Sequence, residues 1–233
     1  MNGHIDRFGE GYFERGEGSG YVNYSWRPDL IWPRVQAIIR ATEIQPPDKI
    51  LDFGCAKGFY VRCLRREGFL AFGIDVSSYA LSHAPEDVRP FLYLRSEKGL
   101  SSFGDREFDL TIAKDVLEHL TVNELEETVK GLFRVSKKLI VTVPICDTNR
   151  RYINNGDELD VSHSIRFTLE EWMDLLGATI YYSALCKSLK AEKSRGTLCT
   201  IIDTWGGWAV RRKYAPGAAM ERVGQAFLCP TLL

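Results

Sequence analysis

The sequence of 233 residues has no long hydrophobic run and no excess of charge of either sign. Its longest apolar stretches, such as 139–146, stop at eight residues and include a threonine and a proline, whereas a membrane-spanning helix needs about 20 residues. The 30 basic residues are matched by 31 acidic ones, so nucleic-acid binding through a large basic surface is not expected. Residues 1–6 lack the basic start and apolar core of a secretion signal. These absences predict a cytoplasmic protein without a membrane span.

The six cysteines lack the spacing of a metal site or of a disulfide framework. They are scattered along the chain, with no C-x-x-C pair and no histidine at zinc-finger spacing. We therefore expect reduced and mostly buried thiols. The cysteines are Cys55, Cys63, Cys146, Cys186, Cys199 and Cys229.

Short apolar runs alternate with amphipathic stretches from residue 49 onward. The runs are rich in Val, Ile, Leu and Phe, as strands buried on both faces require, and the stretches between them have helical periodicity. This alternation predicts a doubly wound α/β fold with a Rossmann-like parallel sheet. The predicted strands are 49–53, 70–75, 91–95, 108–113 and 139–143.

Helix signals and a second β-like region flank these strands. Pro28 can open a helix ahead of the sheet. Capping boxes begin further helices at Thr121 and Thr168. The runs 178–186 and 197–205 flank a polar turn, which predicts a C-terminal antiparallel hairpin at the edge of the sheet.

The most informative segment joins the first predicted strand to a glycine-containing turn and then a helix. Gly54 and Gly58 permit a tight turn, after which free N–H groups of the helix point above the strand ends. The second strand ends at Asp75, 17 residues after Gly58. An acid at this position binds the ribose hydroxyls of nucleotide cofactors. The alternative is that Asp75 only caps the helix that follows.

Asp52 favours one class of cofactor over another. An acid at the end of the first strand would repel a pyrophosphate, whereas it suits a cationic ligand without phosphate. The pattern Asp52-x-Gly54-x-Ala56-x-Gly58 resembles the first motif of class I S-adenosylmethionine-dependent methyltransferases, an acid followed by G-x-G-x-G. Ala56 replaces the middle glycine. The resemblance implies S-adenosylmethionine as the cofactor.

The same resemblance implies where the cofactor lies. Asp52 would be near the amino end of its methionine part, and Asp75 would hold the ribose. The other residues that it implies along the cofactor in this region are Gly54, Cys55, Ala56, Gly58, Tyr60 and Val76.

Residues 107–120 extend the resemblance to a narrower group. The string EFDLTIAKDVLEHL is similar to the fourth-strand region of small-molecule methyltransferases of the ubiquinone-biosynthesis type. In those enzymes the residues just after the strand lie beside the methionine part of the cofactor. The corresponding residues are Ala113, Lys114 and Asp115.

The end of this string contains three residues of metal-ligating type. Asp115, Glu118 and His119 have the spacing that places side chains on one face of a helix, and oxygen and imidazole groups so arranged could hold a divalent ion. The same Leu-Glu-His-Leu string recurs in relatives without a metal, where the histidine is packed and hydrogen-bonded. We therefore expect no metal here.

Two residues are candidates for a catalytic role on the acceptor side. Methyl transfer is a direct displacement, so a base is needed only if the acceptor must lose a proton. His163 lies between the fifth strand and the helix that begins at Thr168, where ligands of such folds bind; a purely structural histidine is the equal alternative. Asp115 is the second candidate.

The segment 11–24 combines aromatic residues with glycines, a composition unlike that of a helix or a strand. It predicts a mobile lid. By resemblance to a segment ahead of the core in one methyltransferase group, Tyr12 and Tyr21 would close over the methionine end of the cofactor. The alternative is an aromatic clasp packed permanently on the core.

The predicted function is methyl transfer to a small-molecule or glycan-type acceptor, with oxygen as the accepting atom. Residues 1–45 would form the lid and an accessory helix, and 46–205 the cofactor-binding domain with an acceptor cap at about 146–177. Residues 206–233 would be a loosely held tail. Two other functions are considered: a non-catalytic regulatory protein that binds S-adenosylmethionine, and a nicotinamide-dependent oxidoreductase. A nucleic-acid substrate is not expected, and the sequence does not indicate an oligomeric state.

Overall fold

The structure, a computed structural model, describes residues 6–96 and 98–204. Six strands form one sheet in the order β3-β2-β1-β4-β5-β6. Strands β1 to β5 are parallel, and β6 is antiparallel to β5. The strands are β1 (Lys49–Phe53), β2 (Leu70–Asp75), β3 (Leu92–Leu94), β4 (Phe108–Lys114), β5 (Ser136–Pro144) and β6 (Thr197–Asp203). The predicted doubly wound α/β class is confirmed. The predicted tail and Cys229 lie outside the described residues.

Seven α-helices accompany the sheet within the described ranges. They are α1 (Glu10–Glu14), α2 (Pro28–Thr42), α3 (Phe59–Arg66), α4 (Ser78–Ser82), α5 (Val122–Val135), α6 (Leu169–Leu176) and α7 (Ser183–Lys190). Helix α2 begins at Pro28 as predicted. Both predicted capping boxes are formed, because the hydroxyls of Thr121 and Thr168 each accept the N–H of the glutamate three residues later.

Apolar helix faces cover the sheet on both sides. One core cluster joins β1 and β4 to α2, α3 and α7, with Ile38 and Leu64 completely buried. The other joins β4 and β5 to α5 and α6 around Trp172, whose indole N–H donates to the carbonyl of Pro144 at 3.1 Å. Two-sided burial explains why the strands are continuous apolar runs.

The sheet ends in an antiparallel pair of strands, as predicted, but only one of the two strands is the one that the sequence predicted. The segment 178–186 was expected to pair with 197–205; instead it leads into α7, and β6 pairs with β5 in the register Ile140↔Ile201. Leu185 and Leu189 lie one helical turn apart and are buried against the α2 side of the core. Packing of this helical stripe therefore outweighs the β propensity of the segment.

The strand order reverses its direction between β1 and β4, because β2 and β3 extend to one side and β5 and β6 to the other. In open α/β sheets, ligands bind at the carboxyl ends of the strands at such a switch point. The fold thus brings the ends of β1 and β4, at Phe53 and Lys114, to the place where a site is expected. No helix in the described ranges has the length and apolar character needed to cross a bilayer.

Candidate active site

A cavity of about 740 Å³ opens at the carboxyl ends of β1, β2 and β4. This volume is in the range of small-molecule and cofactor sites. Its wall includes, of the predicted site residues, Tyr12, Tyr21, Asp52, Gly54, Cys55, Ala56, Tyr60, Asp75, Val76, Lys114 and Asp115.

The turn after β1 presents bare backbone to this cavity. Gly54 has a φ of +81°, and a Cβ there would lie 2.5 Å from Cγ2 of Val116. Ala56 has a φ of +47°, a left-handed conformation that costs a residue with a Cβ roughly 1–2 kcal/mol. This explains why a glycine is typical at the position of Ala56. The turn ends at Gly58, which has a φ of +70° and precedes α3.

Asp75 lies at the end of β2 and binds two backbone groups. Its Oδ2 accepts the N–H of Ala56 at 2.7 Å, and its Oδ1 accepts the N–H of Ser77 at 2.8 Å. Burial raises its pKa, although these N–H groups oppose the increase. Each carboxylate oxygen has a second acceptor site. Asp75 can therefore hold the turn and still accept a hydroxyl from a ligand, so its ribose-binding role stays a prediction. The helix that follows is capped instead by Ser77, whose hydroxyl accepts the N–H of Ala80 at 2.9 Å.

Asp52 is a buried acid on the cavity wall. It is 6% exposed, and no hydrogen bond or salt bridge to its side chain is found among the described residues. Burial, reinforced by repulsion from Asp75 and opposed by Lys114, raises its pKa to about 7. A cationic ligand group would compensate this carboxylate, so the residue fits the positively charged methionine end of S-adenosylmethionine.

Asp115 is the shared counter-ion of two lysines. Its Oδ2 lies 2.6 Å from Nζ of Lys114 and 2.6 Å from Nζ of Lys190 in α7, and its Oδ1 accepts the hydroxyl of Thr142 at 3.0 Å. Burial alone would raise its pKa, but Lys114 and Lys190 hold the pKa well below its usual range. Its catalytic role stays a prediction, because these contacts give it a structural function already.

The N-terminal segment forms one side of the cavity. Tyr12 donates to Oδ2 of Asp160 at 2.8 Å. Lys57, in the turn after β1, places its Nζ 2.6 Å from Oε1 of Glu14 and 2.7 Å from the carbonyl of Tyr24. The segment was expected to contain no helix, yet residues Glu10–Glu14 form α1. The contacts of the N-terminal segment agree with the predicted aromatic clasp, and its position over the cavity agrees with the predicted lid. The mobility of this segment stays a prediction.

A histidine pair lies beside the cavity, with one of the two rings on its wall. His119 is on the wall, together with Thr121 and Glu124. His163, the predicted base, is not on the wall; its ring centroid is 4.8 Å from that of His119, and its side chain is 7% exposed. The single helix expected to align Asp115 with His119 is absent, because only Leu117–His119 form a 3-10 turn, and Asp115 has a φ of +53°.

Two other predicted residues are also away from the wall. Gly58 lies beneath Leu92, and Ala113 is completely buried in β4. Several wall residues were not predicted: Phe8, Phe13, Tyr24, Arg95, Ser96, His119, Thr121 and Glu124. Arg95 and Ser96 directly follow β3, so the rule that ligands bind at the carboxyl ends of strands could have identified them.

Comparisons with known proteins agree with this geometry. A family model described as a methyltransferase domain matches residues 51–139. The uncharacterized methyltransferase sll0829 of Synechocystis is 32% identical over 94 residues, which are 40% of this chain and 44% of that protein. The O-antigen chain terminator bifunctional methyltransferase/kinase WbdD of Escherichia coli is 25% identical over 140 residues, 55% of this chain and 20% of that protein.

The fold is also shared with solved structures. A SAM-dependent methyltransferase from Archaeoglobus fulgidus superposes with a TM-score of 0.54 at 17% identity, covering 64% of this chain and 67% of that one. The chain spans less than half the length of the curated relatives it matches. Residues 51–139 thus match a methyltransferase-domain family, and the sheet and its helices share the fold of a SAM-dependent methyltransferase.

Proposed function

We propose that the protein transfers a methyl group from S-adenosylmethionine to an oxygen atom of a small-molecule or glycan-type acceptor. The observation that carries this proposal is the buried carboxyl of Asp52, which has no partner in the part of the chain that the structure describes and lies in the same cavity as Asp75. A buried carboxylate can bind a cationic amino group, which supports this role for Asp52. Asp75 ends the second strand, and ribose-binding acids occupy this position in related folds.

The bound donor supplies an electrophilic methyl group on a sulfonium, so the protein has to align the acceptor and exclude water. Asp52 would bind the amino group, and Asp75 would accept the ribose hydroxyls. The aromatic rings of Tyr12 and Tyr24 cover the cavity, which limits the access of water to the reacting atoms.

The acceptor would lie beside His119 and Thr121 on the cavity wall. A hydroxyl that is to be methylated needs a nearby group with a free lone pair, which can accept a hydrogen bond from the hydroxyl proton. Burial lowers the pKa of His119 to about 4, and burial also lowers the pKa of His163. Both imidazoles are therefore neutral near pH 7, and the ring of His119, which is on the cavity wall, can accept a hydrogen bond from an acceptor hydroxyl.

The glycan-type acceptor has a second source of support. The name of the Escherichia coli relative assigns it to O-antigen chain termination, and the matched segment extends beyond the domain shared by the family. The small-molecule alternative is equally compatible with a cavity of about 740 Å³.

The test is methyl transfer by the full chain with isotopically labelled S-adenosylmethionine and a panel of mono- and oligosaccharides, phenols and hydroxy acids. We expect S-adenosylhomocysteine to form only with a suitable acceptor, with the label on oxygen by NMR. The matched controls are reactions without acceptor and with Asp75→Ala. Donor binding without transfer to any acceptor would favour the regulatory alternative, and label on nitrogen would contradict the oxygen assignment.

A further inference from the structure

Asp115 is shared by two ammonium groups at one side of the cavity. Its Oδ2 lies 2.6 Å from Nζ of Lys114 and 2.6 Å from Nζ of Lys190 in α7, and the side chains of Asp115, Lys114 and Lys190 are 17%, 18% and 12% exposed. In the part of the chain that the structure describes, neither lysine forms a salt bridge with a second acid. Two largely buried cations thus meet one carboxylate, which leaves an excess of one positive charge.

Two further acids are within electrostatic reach of this cluster and do little to balance the excess. Burial raises the pKa of Glu118 well above its usual range, and repulsion from Asp115 adds to the increase, which favours the uncharged form of Glu118. Burial is also the main reason that the pKa of Asp52 is raised to about 7, so this acid is only partly ionised at neutral pH. A buried excess of charge is costly unless a ligand compensates it.

The cluster has hydrogen-bond donors that remain unused among residues 6–96 and 98–204. An ammonium group has three N–H donors, and each lysine directs one at Asp115. Nζ of Lys114 lies 6.0 Å from the ring centroid of Tyr60 in α3, whose hydroxyl is buried without a hydrogen-bond partner. Lys114, Asp115 and Tyr60 all line the cavity, so a ligand there can reach these donors.

The strand order separates this cluster from the ribose end of the proposed donor site. Asp75 and Asp52, the acids proposed to contact the donor, are on β2 and β1, whereas the cluster consists of the end of β4, Thr142 in β5 and α7. The order in the sheet is β2-β1-β4-β5. A donor bound across β2 and β1 therefore leaves the ends of β4 and β5 for the acceptor.

We propose that Lys114 and Tyr60 bind an oxyanion of the acceptor, either a carboxylate or a phosphate group. Lys190 is a positioning residue, because its ammonium neutralises Asp115 and leaves the charge of Lys114 for the ligand. The oxyanion would accept hydrogen bonds from the ammonium and from the phenol hydroxyl, and such charge-assisted bonds are stronger than those between neutral groups. This inference rests on the proposed function and narrows the acceptor to an anionic compound.

The carboxylate of the donor is the other anion that could reach Lys114. The overall charge favours the acceptor, because S-adenosylmethionine carries a sulfonium and an ammonium group against one carboxylate. The donor is thus a cation as a whole and does not remove the positive excess. An anionic acceptor would compensate both the cluster and the sulfonium.

The test is titration of the full chain, saturated with S-adenosylhomocysteine, with benzoate and with inorganic phosphate. Ligand-observed NMR at constant ionic strength measures both, since salt screens such contacts. We expect saturable binding of at least one probe, and the probe that binds more tightly identifies the oxyanion as a carboxylate or a phosphate. Benzamide is the neutral control and should not show saturable binding.

Lys114→Met and Lys190→Met should each weaken probe binding by about tenfold or more, and Lys190→Arg, which keeps the charge, should restore it. The matched control is Lys187→Met, because Lys187 is exposed on the same helix as Lys190; it should bind the probes as the natural chain does. Tyr60→Phe removes only a hydroxyl, so it tests the proposal even if Lys114→Met does not fold. Absence of saturable binding of both probes, or equal affinity in all variants, would overturn the proposal.

A second titration distinguishes the two anions. It uses S-adenosylhomocysteine and 5′-methylthioadenosine, which lacks the amino-acid part, and both should bind to Lys190→Met as they bind to the natural chain. Weaker binding of S-adenosylhomocysteine alone in Lys114→Met and Tyr60→Phe, without probe binding by the natural chain, would assign these residues to the donor and overturn the proposal. Saturable probe binding without methyl transfer to any acceptor would contradict the proposed function and still support the anion site.

Discussion

The carboxylate of Asp75 accepts a hydrogen bond of 2.7 Å from the backbone N–H of Ala56. This contact joins the end of β2 to the turn after β1, and both residues line the cavity. A residue with a positive φ, held by a buried acid, fixes the shape of the turn before any ligand binds. The turn in the proposed donor site is therefore held in place, and the parts of that site can be tested one by one.

The backbone strain at Ala56 predicts opposite effects of a smaller and a branched side chain. Ala56→Gly removes the left-handed penalty, and the greater chain entropy of glycine partly offsets the gain; we expect a free energy of unfolding between unchanged and about 1 kcal/mol higher. Ala56→Val should lower it by about 1–3 kcal/mol. Urea denaturation measures both. Equal stability of the valine and alanine proteins would contradict the positive φ.

The pKa of Asp52 predicts how donor affinity depends on pH. With a pKa of about 7, the side chain must lose a proton at lower pH before it can bind a cationic amino group. The dissociation constant for S-adenosylmethionine should therefore rise about tenfold per pH unit below 7 and level off above it. Asp52→Asn should weaken binding at pH 8 and flatten the profile. A steep profile that persists in Asp52→Asn would assign the titration to another group.

The same residue should destabilise the protein without its ligand at high pH. The pKa of Asp52 is raised from 3.8 to about 7 on folding, so the folded state binds more protons between these values and stability falls as the pH rises through this window. Asp52→Asn should therefore raise the free energy of unfolding by roughly 2–4 kcal/mol at pH 8 and by little at pH 4. A gain of the same size at both pH values would show an effect unrelated to ionisation.

The hydroxyl of Tyr12 predicts a kinetic role for the N-terminal segment. Tyr12→Phe removes the donor to Asp160 and keeps the ring on the cavity wall. We expect faster dissociation of S-adenosylhomocysteine, by about 3- to 10-fold if one hydrogen bond is lost, as measured by stopped-flow fluorescence. Tyr93→Phe, in β3 and away from the cavity, is the matched control. A dissociation rate that does not change in Tyr12→Phe would mean that the hydrogen bond to Asp160 does not restrain the N-terminal segment.

The sequence predicts the sheet and several residues of the cavity wall, because both depend on local patterns. Strands β1 and β2 end at the residues expected, and Asp52, Gly54 and Asp75 come from short motifs next to those ends. These features need only strand burial and turn chemistry. The resemblance then gives the cofactor without any knowledge of distant contacts.

The remaining features depend on contacts between distant segments. The ion pair of Lys190 with Asp115 joins residues 75 positions apart, and no local pattern indicates it. His119 and His163 come together only through the path of the chain after β5. The segment 178–186 has both β-type composition and a helical apolar stripe, and only its packing beside α2 decides between them.

Calorimetric titration of the full chain with S-adenosylhomocysteine is the most direct test of the donor site. We predict binding of one molecule per chain and a loss of about 1–3 kcal/mol in Asp75→Ala, since a ligand hydroxyl would lose its acceptor. This corresponds to about a 5- to 150-fold weaker affinity. Asp105→Ala, an exposed acid paired with Arg134, should bind as the natural chain does. No detectable binding by the natural chain, or unchanged affinity in Asp75→Ala, would contradict the account.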